Sequence, residues 1–203
     1  MAAKTATKVS VVSLVVLAVV AVGVFVTDQV AKYLVVENLT LGEQVNVLGE
    51  ALQLRFVKNP GAAFGLGSGM TWIFSIAAIA VMVLIIWFAR RIRSIGWAIL
   101  FGLLLGGILG NLTDRLTREP GFGVGHVVDF IYTPWMLPAI YNCADIAIVS
   151  SMGLFIILTI RGVGLDGTRV ARSKGTDAAP EAAQNTAAPS PTDSPVAPGD
   201  SPR

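Results

Sequence analysis

Three carboxylates carry the first chemical suggestion in this sequence: Asp114, Asp129 and Asp145. Asp114 is followed directly by Arg115, so an ion pair at a helix end and a functional role are equally open for it. Asp129, in Val127-Val-Asp-Phe-Ile131, and Asp145, in Asn142-Cys-Ala-Asp-Ile146, have no such neighbour, because positions 119–160 contain no Lys or Arg. An ionisable group in apolar sequence is costly and calls for a reason. Two carboxylates brought together relieve the cost by sharing one proton, which leaves one ionised and one neutral. Such a pair is a general base and a general acid, able to activate water. Two other readings stay open on the residues alone. Each carboxylate can cap a helix or bind backbone amides, with Asn142 in the same polar network, or the acids can belong to a proton or ion relay.

Other chemistry is weaker. His126 lies three residues before Asp129, but no G-x-S-x-G elbow accompanies it. Ser150 and Ser151 fall deep in an apolar run, where bonding to backbone carbonyls is their ordinary use. Cys143 reads as a small packed residue. One cysteine and one histidine in the whole chain exclude an internal disulfide framework and a Cys-based metal cluster, and argue against a His-rich zinc site.

The elements that must position these acids follow from a shortage of charge. Of 203 residues, 54% are hydrophobic and 28 are charged, ten of them from position 161 onward. A soluble domain carries about a quarter charged residues, so soluble classes are largely excluded, and the hydrophobicity excludes disorder for the body. A net charge of +2 with scattered basic residues argues against nucleic-acid binding. Four apolar runs, about 9–26, 70–89, 95–112 and 138–160, are each long enough to cross a hydrocarbon core of about 30 Å. The first exceeds the 7–15 residues of a signal-peptide core and reads as a retained anchor. Lys4, Lys8, Arg90, Arg91, Arg93, Arg161, Arg169, Arg172 and Lys174 fall on one side; Lys32, Arg55, Lys58, Arg115 and Arg118 fall on the other. The basic excess puts both termini in the cytoplasm and segments 27–69 and 113–137 outside.

Gly102, Gly106 and Gly110, with Gly107 beside them, form a small-residue face for close helix approach. Alternation over 44–47 and 52–57 predicts a small hairpin or sheet. The apolar stretch 61–66 is either an interfacial helix with Phe64 dipping into lipid or a plain loop. Residues 1–165 form the four-helix unit, and 166–203, rich in Ala, Pro, Ser, Thr and Asp, read as a disordered cytoplasmic tail. Helices 1 to 3 are expected to bury no charge, so a continuous relay across the membrane is missing and the enzyme reading gains.

Five motifs, in order on four spans, carry a resemblance: Asp28-Gln-Val-Ala-Lys32, Asn59-Pro-Gly-Ala-Ala-Phe64, Gly106-Gly-Ile-Leu-Gly-Asn-Leu-Thr-Asp-Arg115, Gly125-His-Val-Val-Asp-Phe-Ile131 and Tyr141-Asn-Cys-Ala-Asp145. Over about residues 9–160 the chain resembles the bacterial lipoprotein signal peptidases, or signal peptidase II. The departures are modest: Gly65 where Ser is frequent, Tyr141 where Phe is common, and Cys143 at a variable position. The resemblance implies an all-α membrane protein, with four transmembrane helices, a small extracytoplasmic β-cradle and an interfacial helix. It implies an aspartic peptidase of the cytoplasmic (inner) membrane, a default monomer without metal or organic cofactor. Its substrates are diacylglyceryl-modified prolipoproteins, cut near the outer leaflet on the amino side of the lipidated cysteine, and its well-known inhibitor is globomycin. Asp129 and Asp145 take the catalytic positions. Asn59, Gly110, Asn111, Asp114, Arg115 and Asn142 match positions that shape or line the substrate and inhibitor site. Asp28 and Lys32 match a polar pair with a more structural role.

Overall fold

The computed structural model describes residues 10–61 and 70–169. The chain divides into two units, Met1–Ala171 and Arg172–Arg203. The second unit lies outside the described residues, as does the 62–69 stretch with Phe64, where an interfacial helix or a loop is expected.

Four helices among the described residues are long and apolar enough to cross a membrane: α1 (Val11–Asn38), α2 (Thr71–Ala89), α3 (Ile95–Thr117) and α4 (Cys143–Ile160). Strands β1 (Gln44–Leu48) and β2 (Leu52–Asn59) follow α1, while β3 (Val127–Tyr132) and β4 (Ile140–Tyr141) precede α4. They form one antiparallel sheet in the order β1-β2-β3-β4. The expected class, a mainly helical membrane protein with a small sheet, is what the chain adopts. The hairpin expected from alternation is β1–β2; Gly49 closes its turn at φ 57, a conformation an L side chain resists. Strands β3 and β4 were not expected, because an apolar run just before a helix does not declare its period.

Three helix boundaries differ from the apolar runs. Ser10 caps α1, its side chain accepting from the Ser13 amide at 3.3 Å. The helix then continues for 28 residues, about 42 Å at 1.5 Å per residue, well past the last apolar residue of the run. Asp28 and Lys32 therefore sit inside it. α3 likewise extends to Thr117 and contains Asp114. The expectation that helices 1 to 3 bury no charge is overturned, since Asp28, Lys32 and Asp114 are all 0% exposed. A run of apolar residues ends at the first charge, whereas a helix continues wherever charged side chains find partners. α4 begins later than position 138, because residues 140–141 are spent on β4 and Asn142 is the helix cap.

The bundle is apolar outside and carries small and polar residues among the apolar ones inside. Val15, Val19 and Val22 on α1 and Trp72, Ile76 and Val83 on α2 are exposed, while Ser13, Ala21, Thr71 and Ser75 are buried. Lipid tails are as apolar as leucine, so helices in lipid associate by close packing and polar contacts. The glycine face supplies the closeness. A Cβ on Gly106 would lie 2.6 Å from the Ala21 carbonyl of α1, and one on Gly107 would lie 2.6 Å from the Ala144 carbonyl of α4. Adjacent glycines on α3 thus admit two different helices.

The sheet rests on the end of α1 through buried Val35, Phe56, Val128 and Phe130. Trp135 Nε1 donates to the Ala51 carbonyl at 2.8 Å and ties the β3–β4 connection to the β1–β2 turn. At the other end of the bundle, the Arg93 and Ser94 amides donate to the Leu165 carbonyl, and Trp97 Nε1 donates to the Val163 carbonyl at 2.8 Å. Residues 166–169 of the expected tail are still ordered there; the remainder lies outside the described residues.

Gly106→Ala is expected to destabilise the protein by about 1–3 kcal/mol, because a backbone carbonyl blocks the new methyl. Gly153→Ala on α4, where a Cβ meets open space, is expected to be neutral or stabilising by up to about 1 kcal/mol. Thermal unfolding of the two variants in detergent checks both.

Candidate active site

Asp129 occupies the inner strand β3 and is 3% exposed. Asp145 lies in the first turn of α4, at the third helical position. Asn142 and Asp145 form a reciprocal cap: Asn142 Oδ1 accepts from the Asp145 amide at 3.0 Å, and Asp145 Oδ2 accepts from the Asn142 amide at 3.1 Å. The capping reading of Asp145 is thus correct for one oxygen. The other oxygen, Oδ1, accepts from Asn111 Nδ2 at 2.8 Å. Capping and a chemical role are compatible, because a carboxylate has lone pairs enough for both.

Both aspartates open onto one cavity of about 280 Å³, with Asn59, Asn111, Arg115 and Tyr141 among its walls. Three asparagines hold the carboxylates, and each amide has its orientation dictated by a group that can only donate. Asn59 Oδ1 accepts from the Gly61 amide, so its Nδ2 faces Asp129 Oδ2 at 2.9 Å. Asn142 Oδ1 is taken by the Asp145 amide, so its Nδ2 faces Asp129 Oδ1 at 2.6 Å. Asn111 Oδ1 accepts from Lys32 Nζ at 2.9 Å, so its Nδ2 faces Asp145. Asn142 Nδ2 also reaches Asn111 Oδ1 at 3.1 Å, which joins the two aspartates through one amide chain.

Behind this layer lies a buried ionic group. Lys32 Nζ contacts Asp28 Oδ2 at 2.8 Å, Asp114 Oδ2 at 2.8 Å and Asn111 Oδ1 at 2.9 Å, so all three ammonium protons are used. Arg118 Nε contacts Asp114 Oδ1 at 2.7 Å and brings the group to two cations and two carboxylates. Asp28 Oδ1 accepts from the Ala144 amide at 2.9 Å, and Asp114 Oδ2 from the Val128 amide at 3.1 Å. Each buried carboxylate therefore grips the backbone immediately before one of the two cavity aspartates. The expected Asp28–Lys32 pair is present, but the partners of Asp114 are Lys32 and Arg118, not its neighbour Arg115.

Arg115 instead lines the cavity. Its guanidinium donates to the Asn111 and Gly61 carbonyls at 3.2 Å each and lies 5.7 Å from the centre of the Phe74 ring. Its buried Nε has no hydrogen-bond partner among the described residues. Gly110 and Asp114, which the resemblance groups with the substrate-lining positions, do not reach this cavity. Gly110 packs against Asp28 and Ala144, its carbonyl accepts from Gln29 Nε2 at 3.1 Å, and a side chain there would collide with the Asp28 carboxylate. Their contribution is to let α1 and α4 close on α3. Gln29 and Gly125 stand in the quoted motifs, but the sequence alone gives neither a role. A Cβ on Gly125 would meet the Asp114, Arg118 and Arg115 carbonyls at the end of α3.

The Asp129 carboxyl is raised to about 7. Burial is the main cause and the neighbouring Asp145 charge adds to it, while the Asn59 and Asn142 donors pull the other way. Among the described residues neither cavity aspartate forms an ion pair.

Fold and site together define a multi-pass membrane protein with two carboxylates in one cavity, a layout suited to hydrolysis. The sequence pattern of the signal peptidase (SPase) II family matches residues 20–161, and the chain belongs to that family. A lipoprotein signal peptidase of Leifsonia xyli subsp. xyli is 66% identical over 168 residues, 83% of this chain and 77% of that protein. A lipoprotein signal peptidase of Streptomyces griseus subsp. griseus is 48% identical over 149 residues, 73% of this chain and 75% of that protein. A bacterial membrane enzyme solved by the in meso method at 2.3 Å resolution superposes with a TM-score of 0.67 at 27% identity, over 81% of this chain and 98% of the other. The chain is a multi-pass bacterial membrane protease.

Lys32→Met leaves Asp28 and Asp114 buried without their shared cation. It is expected to cost about 3–5 kcal/mol, read as a lowered thermal midpoint in detergent. The raised Asp129 carboxyl makes a second prediction. Folding favours its protonated form, so this contribution to stability is full below the unfolded value of about 4 and lost as pH rises to about 7. Between pH 5 and 8 the thermal midpoint of the parent is expected to fall more than that of Asp129→Asn.

Proposed function

We propose that this lipoprotein signal peptidase cuts diacylglyceryl-modified prolipoproteins on the amino side of the lipidated lipobox cysteine, with Asp129 and Asp145 as a water-activating dyad. The observation that carries the reading is the division among four neighbouring acids. Asp28 and Asp114 are neutralised by Lys32 and Arg118, while Asp129 and Asp145 share an open cavity and receive only neutral amide donors. Asp145, in the first turn of α4, sits where the helix dipole favours negative charge. Asp129, whose carboxyl burial pushes up to about 7, holds the proton in this reading. Asp145 takes a proton from water as the water oxygen attacks the scissile carbonyl carbon, and Asp129 protonates the carbonyl oxygen. The tetrahedral intermediate collapses as Asp145 passes its proton to the nitrogen, which leaves as the cysteine amine, while a hydroxyl proton returns to Asp129.

The lipid supplies the positioning. An apolar groove of about 380 Å³ runs beside Asp145 along α4, with Met136, Leu137, Ile146 and Val149 in its walls, and suits an acyl chain of the substrate. Burial of each methylene is worth about 0.8 kcal/mol, and binding energy from such remote groups orients the bond to be cut. In this reading the unit is residues 1–165, a monomer with both termini cytoplasmic and the site near the outer leaflet. Residues 166–203 form an appended tail, and globomycin-type inhibitors occupy the cavity. A transmembrane relay finds no support, since positions 9–27 and 95–113 carry no charge.

Asp129→Asn and Asp145→Asn are each expected to lower the cleavage rate of a diacylglyceryl-modified lipobox peptide by at least about 10³-fold, with normal membrane insertion. Globomycin is expected to block the parent. Normal cleavage by either variant refutes the dyad.

A further inference from the structure

The cavity that holds Asp129 continues onto the sheet. A groove of about 350 Å³ has Arg55, Lys58, Asn59, Asp129 and Ile140 in its walls, and Asn59, Asp129 and Ile140 also line the cavity shared with Asp145. The groove therefore begins at the paired carboxylates and leaves along β2. The register of β2 explains how two cations reach it. Positions 55 and 58 lie three apart, and strict alternation turns such residues to opposite faces. The β2–β3 pairing shifts between Leu54 and Val57, where three steps on β2 face the two from Ile131 to Asp129. An extra residue of this kind breaks the alternation and re-aims side chains. Arg55 forms no ion pair among the described residues, and Lys58 meets Glu119 at 3.3 Å with both side chains exposed. Among the described residues, Asp129 is the one carboxylate in the groove wall.

We propose that this groove receives the residues that follow the lipidated cysteine, and that Arg55 and Lys58 select acidic side chains among them. The inference rests on the peptidase reading above. Once the acyl chains and the signal segment are held on the apolar side, along α4, the polar chain beyond the cysteine must leave toward water. The sheet, outside the four spans, carries the polar exit that touches the reacting groups. The substrate class that benefits is a prolipoprotein with Asp or Glu in the first three positions after the cysteine, a stretch of about 10 Å when extended.

The test uses the full chain in a zwitterionic bilayer and three diacylglyceryl lipobox peptides that differ only in the three residues after the cysteine: Asp, Ser or Lys. Exposed ion pairs are individually weak, so the expected preference in kcat/KM for the Asp over the Lys peptide is about tenfold at low salt. It is expected to shrink in 0.5 M salt, where screening is short-ranged. The Arg55→Glu/Lys58→Glu variant is expected to reverse the ratio, and since each enzyme is read against itself, a general loss of activity cancels. Equal rates on the Asp and Lys peptides by the parent at low salt overturn the proposal, as does a preference that persists in the double variant. If that variant does not fold, the salt dependence of the parent's ratio decides. Failure of the parent to cut even the Ser peptide refutes the peptidase reading itself.

Discussion

The architecture of the site depends on one ammonium group. Lys32 is wholly buried, and its three protons go to Asp28, Asp114 and Asn111. An uncompensated charge at this depth is prohibitive, so these groups must come together or the fold fails. Their assembly fixes far more than an ion pair. Asp28 holds the Ala144 amide and Asp114 holds the Val128 amide, which are the residues just before Asp145 and Asp129. One cation thereby sets the position of the strand and the helix that carry the two cavity aspartates. α1 contributes no wall residue to their cavity, yet it decides where both of them stand.

The same cation sets chemistry through an amide. Because Lys32 can only donate, Asn111 must turn its oxygen inward and its nitrogen toward Asp145. Asn59 and Asn142 are oriented by backbone amides in the same manner. The aspartates thus receive neutral donors from three sides, which fixes their rotamers without discharging them. A direct cation would hold Asp129 ionised; an asparagine leaves its proton exchangeable. The layering of charges behind amides behind acids keeps a titratable pair inside a stable frame.

Lipid as solvent explains the rest of the packing. With no hydrophobic drive between helices, contact is won by backbone approach. Gly106 faces α1, Gly107 faces α4, and Gly110 sits where the Asp28 carboxylate passes between them. A side chain at Gly110 would displace the group that grips α4. The glycine face and the ionic group are therefore one device, since the first brings the helices near enough for the second to form.

Much of this was legible in the chain. Four apolar runs fixed the number of spans, alternation marked β1–β2, and the lack of any Lys or Arg over positions 119–160 singled out Asp129 and Asp145. These signals are local, and composition and period report local structure directly. The extension of α1 past Asp28, the pairing of Asp114 with Lys32, the β3 strand under Asp129 and the first-turn placement of Asp145 were not legible. Each depends on a partner distant in sequence, and a charged residue reads as a helix end until that partner is known. The sequence by itself determined that two acids lie in apolar surroundings without a local counter-charge. Only the tertiary structure decided which acids are neutralised and which stay open to a cavity, because that depends on where a single lysine on α1 can reach.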